Sequence, residues 1–154
     1  MRRMRGALVN IIFALLIVFA AATGQAATCQ PTEHDMLGPF YKSDAPIRSA
    51  VGKGYTMTGM VKSSLDCSTI KGAKLEFWLV NSEGTYDDEH RATVFSDAKG
   101  SYRFESNMPK PYSGRPPHIH IRVSAEGHKT LVTQHYPEKG KTRSVFDLVL
   151  VPSQ

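Results

Sequence analysis

From residue 55 onward the chain is written in short apolar stretches that alternate with polar positions or run unbroken for a few residues. Residues 55–61, 73–80, 92–96, 101–105, 118–123, 130–135 and 143–151 each read as a strand. Turn signals separate them: Lys71-Gly72, Ser82-Glu83-Gly84, Asp97-Ala98-Lys99-Gly100, Ser113-Gly114, Glu126-Gly127 and Lys139-Gly140. Seven short strands punctuated by glycine turns predict an all-β chain, a sandwich or a barrel. No stretch after residue 30 sustains helical periodicity.

The first thirty residues follow another pattern. Arg2, Arg3 and Arg5 form a basic head, residues 7–22 an apolar run, and Gly24 and Ala26 bracket Gln25, which is the layout of a secretory signal peptide cleaved after Ala26. No stable membrane anchor is expected, because the run is shorter than the roughly 20 residues a spanning helix needs and Asn10 interrupts it. An acylated Cys29 is the weaker alternative, since Ala26-Ala27-Thr28 lacks the large apolar and small final residue of a lipoprotein signal. Cleavage leaves one domain, residues 27–154, large enough for a single core and too small for two.

Charge and cysteine content then change the picture. The net charge of +5 falls to about +2 once the three leader arginines are gone, so no nucleic-acid partner is implied. Cys29 and Cys67 in a secreted or periplasmic chain predict one disulfide, tying the N-terminal tail to the first half of the domain, with two free thiols as the alternative.

Candidate chemistry centres on residues 117–123. In a strand His118, His120 and Arg122 share one face, and Ile119, Ile121 and Val123 the other. A half-buried strand with its polar face in water has this pattern, but two imidazoles roughly 6.5 Å apart along one face can also converge on a single ion. Tyr112 lies six residues before His118 in a proline-rich segment, and Tyr86 ends the earlier loop Asn81-Ser82-Glu83-Gly84-Thr85-Tyr86. Arg115 could equally pair with Asp87 or Asp88, Gln134 could be an ordinary strand polar, and Trp78 reads as core. His34, His90, His128 and His135 read as surface groups or neighbours of the ligands, with His135 facing away from Gln134.

Five segments, in order, carry a resemblance: GPFY at 38–41, CSTIKGAKLEFWLVNSEGTY at 67–86, SDAKGSYRF at 96–104, PYSGRPPHIHIRV at 111–123 and TQHYP at 133–137. With them the chain resembles the antiparallel catalytic β-sandwich of the intradiol ring-cleavage dioxygenases, the family of protocatechuate 3,4-dioxygenase and catechol 1,2-dioxygenase, in its small secreted form. The resemblance implies a non-haem Fe(III) cofactor bound by Tyr86, Tyr112, His118 and His120. It also implies Arg115 beside the substrate and Gln134 on the next strand, so that Arg115, Tyr112 and Gln134 take part in catalysis. Tyr112 would be the displaceable axial ligand opposite His118, with Tyr86 and His120 equatorial and permanent. The implied partners are a catechol-type substrate and O2, and the implied product is a muconate-type dicarboxylate. The helical N-terminal region that many larger members use for dimerisation has no counterpart, which leaves a homo-oligomer open.

The donor set suits a hard, triply charged ion, which favours anionic oxygen with neutral imidazole alongside. A catechol dianion that replaces one hydroxide and one tyrosinate keeps three negative charges around it. Two other readings stand beside this one. Residues 59–104 also resemble a non-catalytic transthyretin-like module, and His-x-His also serves periplasmic copper sandwiches.

Overall fold

The computed structural model describes residues 29–153, so the expected leader and its cleavage after Ala26 lie outside the described residues. Eight strands follow in order: β1 Tyr55–Ser63, β2 Lys74–Val80, β3 Tyr86–Phe95, β4 Ser101–Ser106, β5 Ile119–Ser124, β6 Leu131–His135, β7 Arg143–Val145 and β8 Leu148–Leu150. They form two sheets, one ordered β4-β1-β7 with β8 also on β1, the other ordered β3-β2-β5-β6. The chain is an all-β sandwich. Met57 and Val61 from β1, Leu75, Phe77 and Leu79 from β2, Phe104 from β4, and Ile119, Ile121 and Val123 from β5 fill the space between the sheets. The Phe77 and Phe104 rings stack across that space, 4.2 Å between centroids.

Two departures from the pattern have local causes. The expected strand over 143–151 is two strands, because the Asp147 carboxylate takes the Met60 N–H at 2.9 Å and the Lys62 Nζ at 2.6 Å in place of backbone pairing. Gly59 makes room there, since a Cβ on it would lie 2.1 Å from the Phe146 carbonyl oxygen. The other departure is β3, which begins at Tyr86 and not near Ala92. Its first half, Asp87-Asp88-Glu89-His90, carries no apolar alternation. There β3 bulges: Trp78 faces Arg91 but Val80 faces Tyr86, so a short step on β2 spans a longer one on β3.

β2 is buried on both faces, which two sheets alone do not explain. The cover is the N-terminal segment, which begins at the Cys29–Cys67 disulfide. It first pairs along one side of the sandwich, Thr32 N to Val149 O and Asp35 N to Val132 O. It then crosses the outer face of the β3-β2-β5-β6 sheet, where Tyr41 donates to the buried Glu76 carboxylate at 3.2 Å. It leaves over the opposite side, pairing with Thr93 of β3 and Glu105 of β4. A disulfide of this kind belongs to an oxidising compartment. Among the described residues no helix is long and apolar enough to cross a membrane.

Candidate metal centre

Three parts of the fold deliver the four expected donors. β5 carries His120, with His118 just before its start; the bulge at the head of β3 aims Tyr86; the loop between β4 and β5 brings Tyr112. Tyr86 Oη lies 3.0 Å from His120 Nε2 and 3.2 Å from His118 Nε2. The imidazoles meet edge to face with centroids 4.8 Å apart, and the Tyr112 ring stands edge-on to Tyr86 at 5.2 Å. Both histidines are 3% exposed or less, so they are no water-facing strand surface.

The protonation pattern favours cation binding. His118 Nδ1 lies 2.8 Å from the Pro116 carbonyl, which can only accept, so in the neutral ring the proton is on Nδ1 and the Nε2 lone pair faces Tyr86. Burial, reinforced by His118 and Arg115, lowers the His120 pKa to about 4, leaving that ring neutral at pH 7. Burial, and then Tyr112, pushes the Tyr86 phenol up to about 12 against the pull of Arg115 and Arg91. The protein alone therefore keeps Tyr86 protonated, and a multiply charged cation is what would ionise it. Among the described residues no group of three or more His, Cys, Asp or Glu gathers, so a metal site here draws on tyrosine. Two phenols and two imidazoles fit ferric iron by charge and hardness.

The covering segment supplies the wall. Phe40 stacks on Tyr86 at 4.3 Å and meets Tyr112 edge-on at 5.6 Å. Gly38, at φ +72°, sits where a Cβ would come 3.1 Å from His120 Cε1. Together with Met36 and Pro39 they close a cavity of about 360 Å³ over the donors. Two larger grooves, about 670 and 530 Å³, lie along β1 and β7 and hold no such donor set.

Arg115 reaches this cavity and does not pair with Asp87 or Asp88. Its Nη2 donates to Gln134 Oε1 and to Tyr136 Oη, both at 2.8 Å. Gln134 Nε2 in turn donates to the Met36 carbonyl at 2.6 Å, so the glutamine is no idle strand polar. Asp87 is held by His90 and Asn81, and Asp88 by Lys42 and Arg91. Trp78 is buried as expected but on the outer face of its sheet, stacked on His120 at 4.9 Å, outside the inter-sheet core. His135 does face away from Gln134; it is half-buried at the edge of one of the larger grooves and not beside the donors, its Nε2 2.7 Å from Tyr55 Oη.

Sequence reasoning missed Asp35, Tyr136 and the wall residue Phe40. Tyr136 follows Gln134 by two, hence on the same side of the chain, and that spacing was the available signal.

No protein-family model matches the chain. Catechol 1,2-dioxygenase of Candida albicans is 31% identical over 88% of this chain and 56% of its own length. The chain belongs to the intradiol ring-cleavage dioxygenase family. Chlorocatechol 1,2-dioxygenase of Pseudomonas putida, a second relative, is 27% identical over 82% of this chain and 63% of its own. The chain thus spans little more than half the length of these curated relatives. The dioxygenase domain of a dioxygenase carbohydrate-binding protein fusion from Streptomyces sp. SirexAA-E superposes with a TM-score of 0.73 at 28% identity, over 80% of this chain and all of that domain. Members of this family use non-haem ferric iron.

Proposed function

We propose that the protein is a secreted ferric intradiol dioxygenase that opens a catechol-type ring between its two hydroxyls with O2, giving a muconate-type dicarboxylate. The observation that carries this reading is the convergence of Tyr86 Oη with both histidine Nε2 atoms, within 3.2 Å, beside Tyr112. Tyr86, Tyr112, His118 and His120 would hold the metal. Ferric iron so bound would supply Lewis acidity, favouring the catechol dianion and the reaction of its ring with O2.

The remaining work falls to side chains. Tyr112, on a turn and not in a sheet, would as a tyrosinate accept one catechol proton and return it as product leaves. Arg115, fixed by Gln134 and Tyr136, offers positive charge where negative charge develops on the ring and the incoming oxygen. Phe40, Pro39 and Met36 orient the flat ring and exclude water. Two tyrosines among the donors favour iron over copper, and a non-catalytic module leaves their convergence on two buried histidines unexplained.

Metal analysis, the visible spectrum and O2 uptake with a panel of catechols test the reading together. A burgundy, iron-containing protein that consumes one O2 per catechol is expected. A colourless or blue protein without ring cleavage would overturn it.

A further inference from the structure

Arg115 is the one Lys or Arg among the described residues lining the cavity. The contacts of its Nη2 are internal, to Gln134 and Tyr136. Tyr136 Oη in turn donates to Asp35 Oδ2 at 2.7 Å, and Asp35 Oδ1 accepts the Met36 N–H at 2.6 Å. Although burial opposes it, these two donors hold the Asp35 carboxyl below its ordinary value, so Asp35 is charged at neutral pH. Arg115 and Asp35 stand at the ends of one short chain with opposite charge, and the mouth offers no net cation. Three other cations are committed elsewhere: Arg91 to the Phe40 carbonyl and Asp88, Lys42 to Asp88, Arg122 to the buried Glu76. Beside Ser113, the rest of the mouth is walled by Met36, Pro39 and Phe40, with Met36 58% exposed at its rim.

On the ring-cleavage reading, on which this inference rests, the two catechol hydroxyls face the tyrosine–histidine cluster and the far side of the ring faces this mouth. A carboxylate there would give up water for a cation whose charge Asp35 offsets. A methyl, ethyl or chloro group would be covered by Met36 and Pro39.

We propose that Asp35 is a specificity-determining residue: by holding Arg115 through Tyr136 it turns the site toward catechols with uncharged, apolar ring substituents and away from those carrying a carboxylate. Asp35 acts through its neighbours and through its field, so it is a positioning residue and touches no reacting atom.

The test is a ratio, which a merely structural role does not move. Anaerobic titration calorimetry of the iron-loaded protein gives affinities for 4-methylcatechol and 3,4-dihydroxybenzoate, and O2-uptake kinetics on the same pair give kcat/KM. The protein is expected to favour 4-methylcatechol in both, by a margin that narrows as salt rises from about 10 mM to about 1 M. Asp35→Asn, which keeps the shape, should shift the ratio toward 3,4-dihydroxybenzoate about five- to tenfold, the size of one charge acting across several ångströms of partly solvated protein. Met36→Lys, at an exposed rim position, should shift it the same way. An unchanged ratio in Asp35→Asn, or a preference for the carboxylated ring in the unsubstituted protein, overturns the proposal and leaves ring cleavage standing. Failure of the iron-loaded protein to bind or cleave even catechol overturns ring cleavage, and this proposal with it.

Discussion

Tyr86 and Tyr112 are unequal because of what holds them. Tyr86 opens a strand, stacks under Phe40 and lies within 3.2 Å of both imidazoles, whereas Tyr112 sits on a two-residue turn through Ser113 at φ +49° and Gly114 at φ +78°. Tyr112→Phe is therefore expected to retain iron and a shifted charge-transfer colour while losing most turnover, and Tyr86→Phe to lose iron. Iron content and spectra with and without anaerobic catechol check this; loss of the Tyr86 band, and not the Tyr112 band, on substrate binding would reverse the two roles. His135 poses a separate question, of stability. Its pKa is lowered to about 4 by burial, only partly opposed by Glu138, and as a neutral ring it shares a hydrogen bond with the Tyr55 hydroxyl. A depressed histidine contributes stability that is whole above its unfolded pKa of roughly 6.5 and is lost as pH falls through about 4, because the unfolded chain takes up a proton the folded chain refuses. Denaturant titrations between those limits should show stability falling toward acid, and His135→Gln should flatten that slope by up to about 1.4 kcal/mol per pH unit, the limit for one proton. An equal slope in the variant would assign the effect to other groups.

Among the elements, β5 shows how far periodicity reaches. The alternation of His118 and His120 against Ile119 and Ile121 was legible in the sequence, and it places the imidazoles on one face and the isoleucines in the core. Most strands were legible for the same reason. The first half of β3 was not, because its polar run is satisfied by Lys42, Arg48 and Arg91, partners that no local pattern reveals. The split of β7 from β8 was hidden too, since it depends on one side chain, Asp147, reaching across to β1. In the GPFY segment Gly38 is needed twice, once for its positive φ and once for its closeness to His120. Gly72 separates the two demands, having φ +71° and open space around it. Gly72→Ala should cost only the left-handed strain, about 1 kcal/mol, whereas Gly38→Ala should cost that and also weaken iron binding by displacing His120. Melting curves and iron content of the pair decide; equal iron retention would show that the covering segment does not press on the imidazole.

For the molecule as a whole, the segment from Cys29 to Val51 works as a belt. It ties β8 to β6 on one side, roofs the candidate site, and ties β3 to β4 on the other, so that fold closure and cavity wall are one structure. Its first fastening is covalent: the Cys29–Cys67 bond spans a sequence separation of 38. Closing a loop of that size contributes about 3 to 4 kcal/mol by restricting the unfolded chain. The belt also has non-covalent fastenings downstream, at Val132, Gln134, Glu76 and Thr93. None of the four donors belongs to it, since Tyr86, Tyr112, His118 and His120 come from β3, β5 and the loop before β5. Replacing both cysteines by serine should therefore separate two properties. Stability to denaturant should drop by about 3 kcal/mol, and the apparent affinity for catechol should weaken as the roof loosens from its upstream end, while iron content and charge-transfer colour stay near those of the disulfide-bonded protein. Denaturant midpoints, metal analysis and anaerobic catechol titrations on one preparation measure all three. If iron is lost in parallel with stability, the donors depend on the belt and the division drawn here between scaffold and roof fails; if catechol affinity is untouched, the downstream fastenings alone hold the roof.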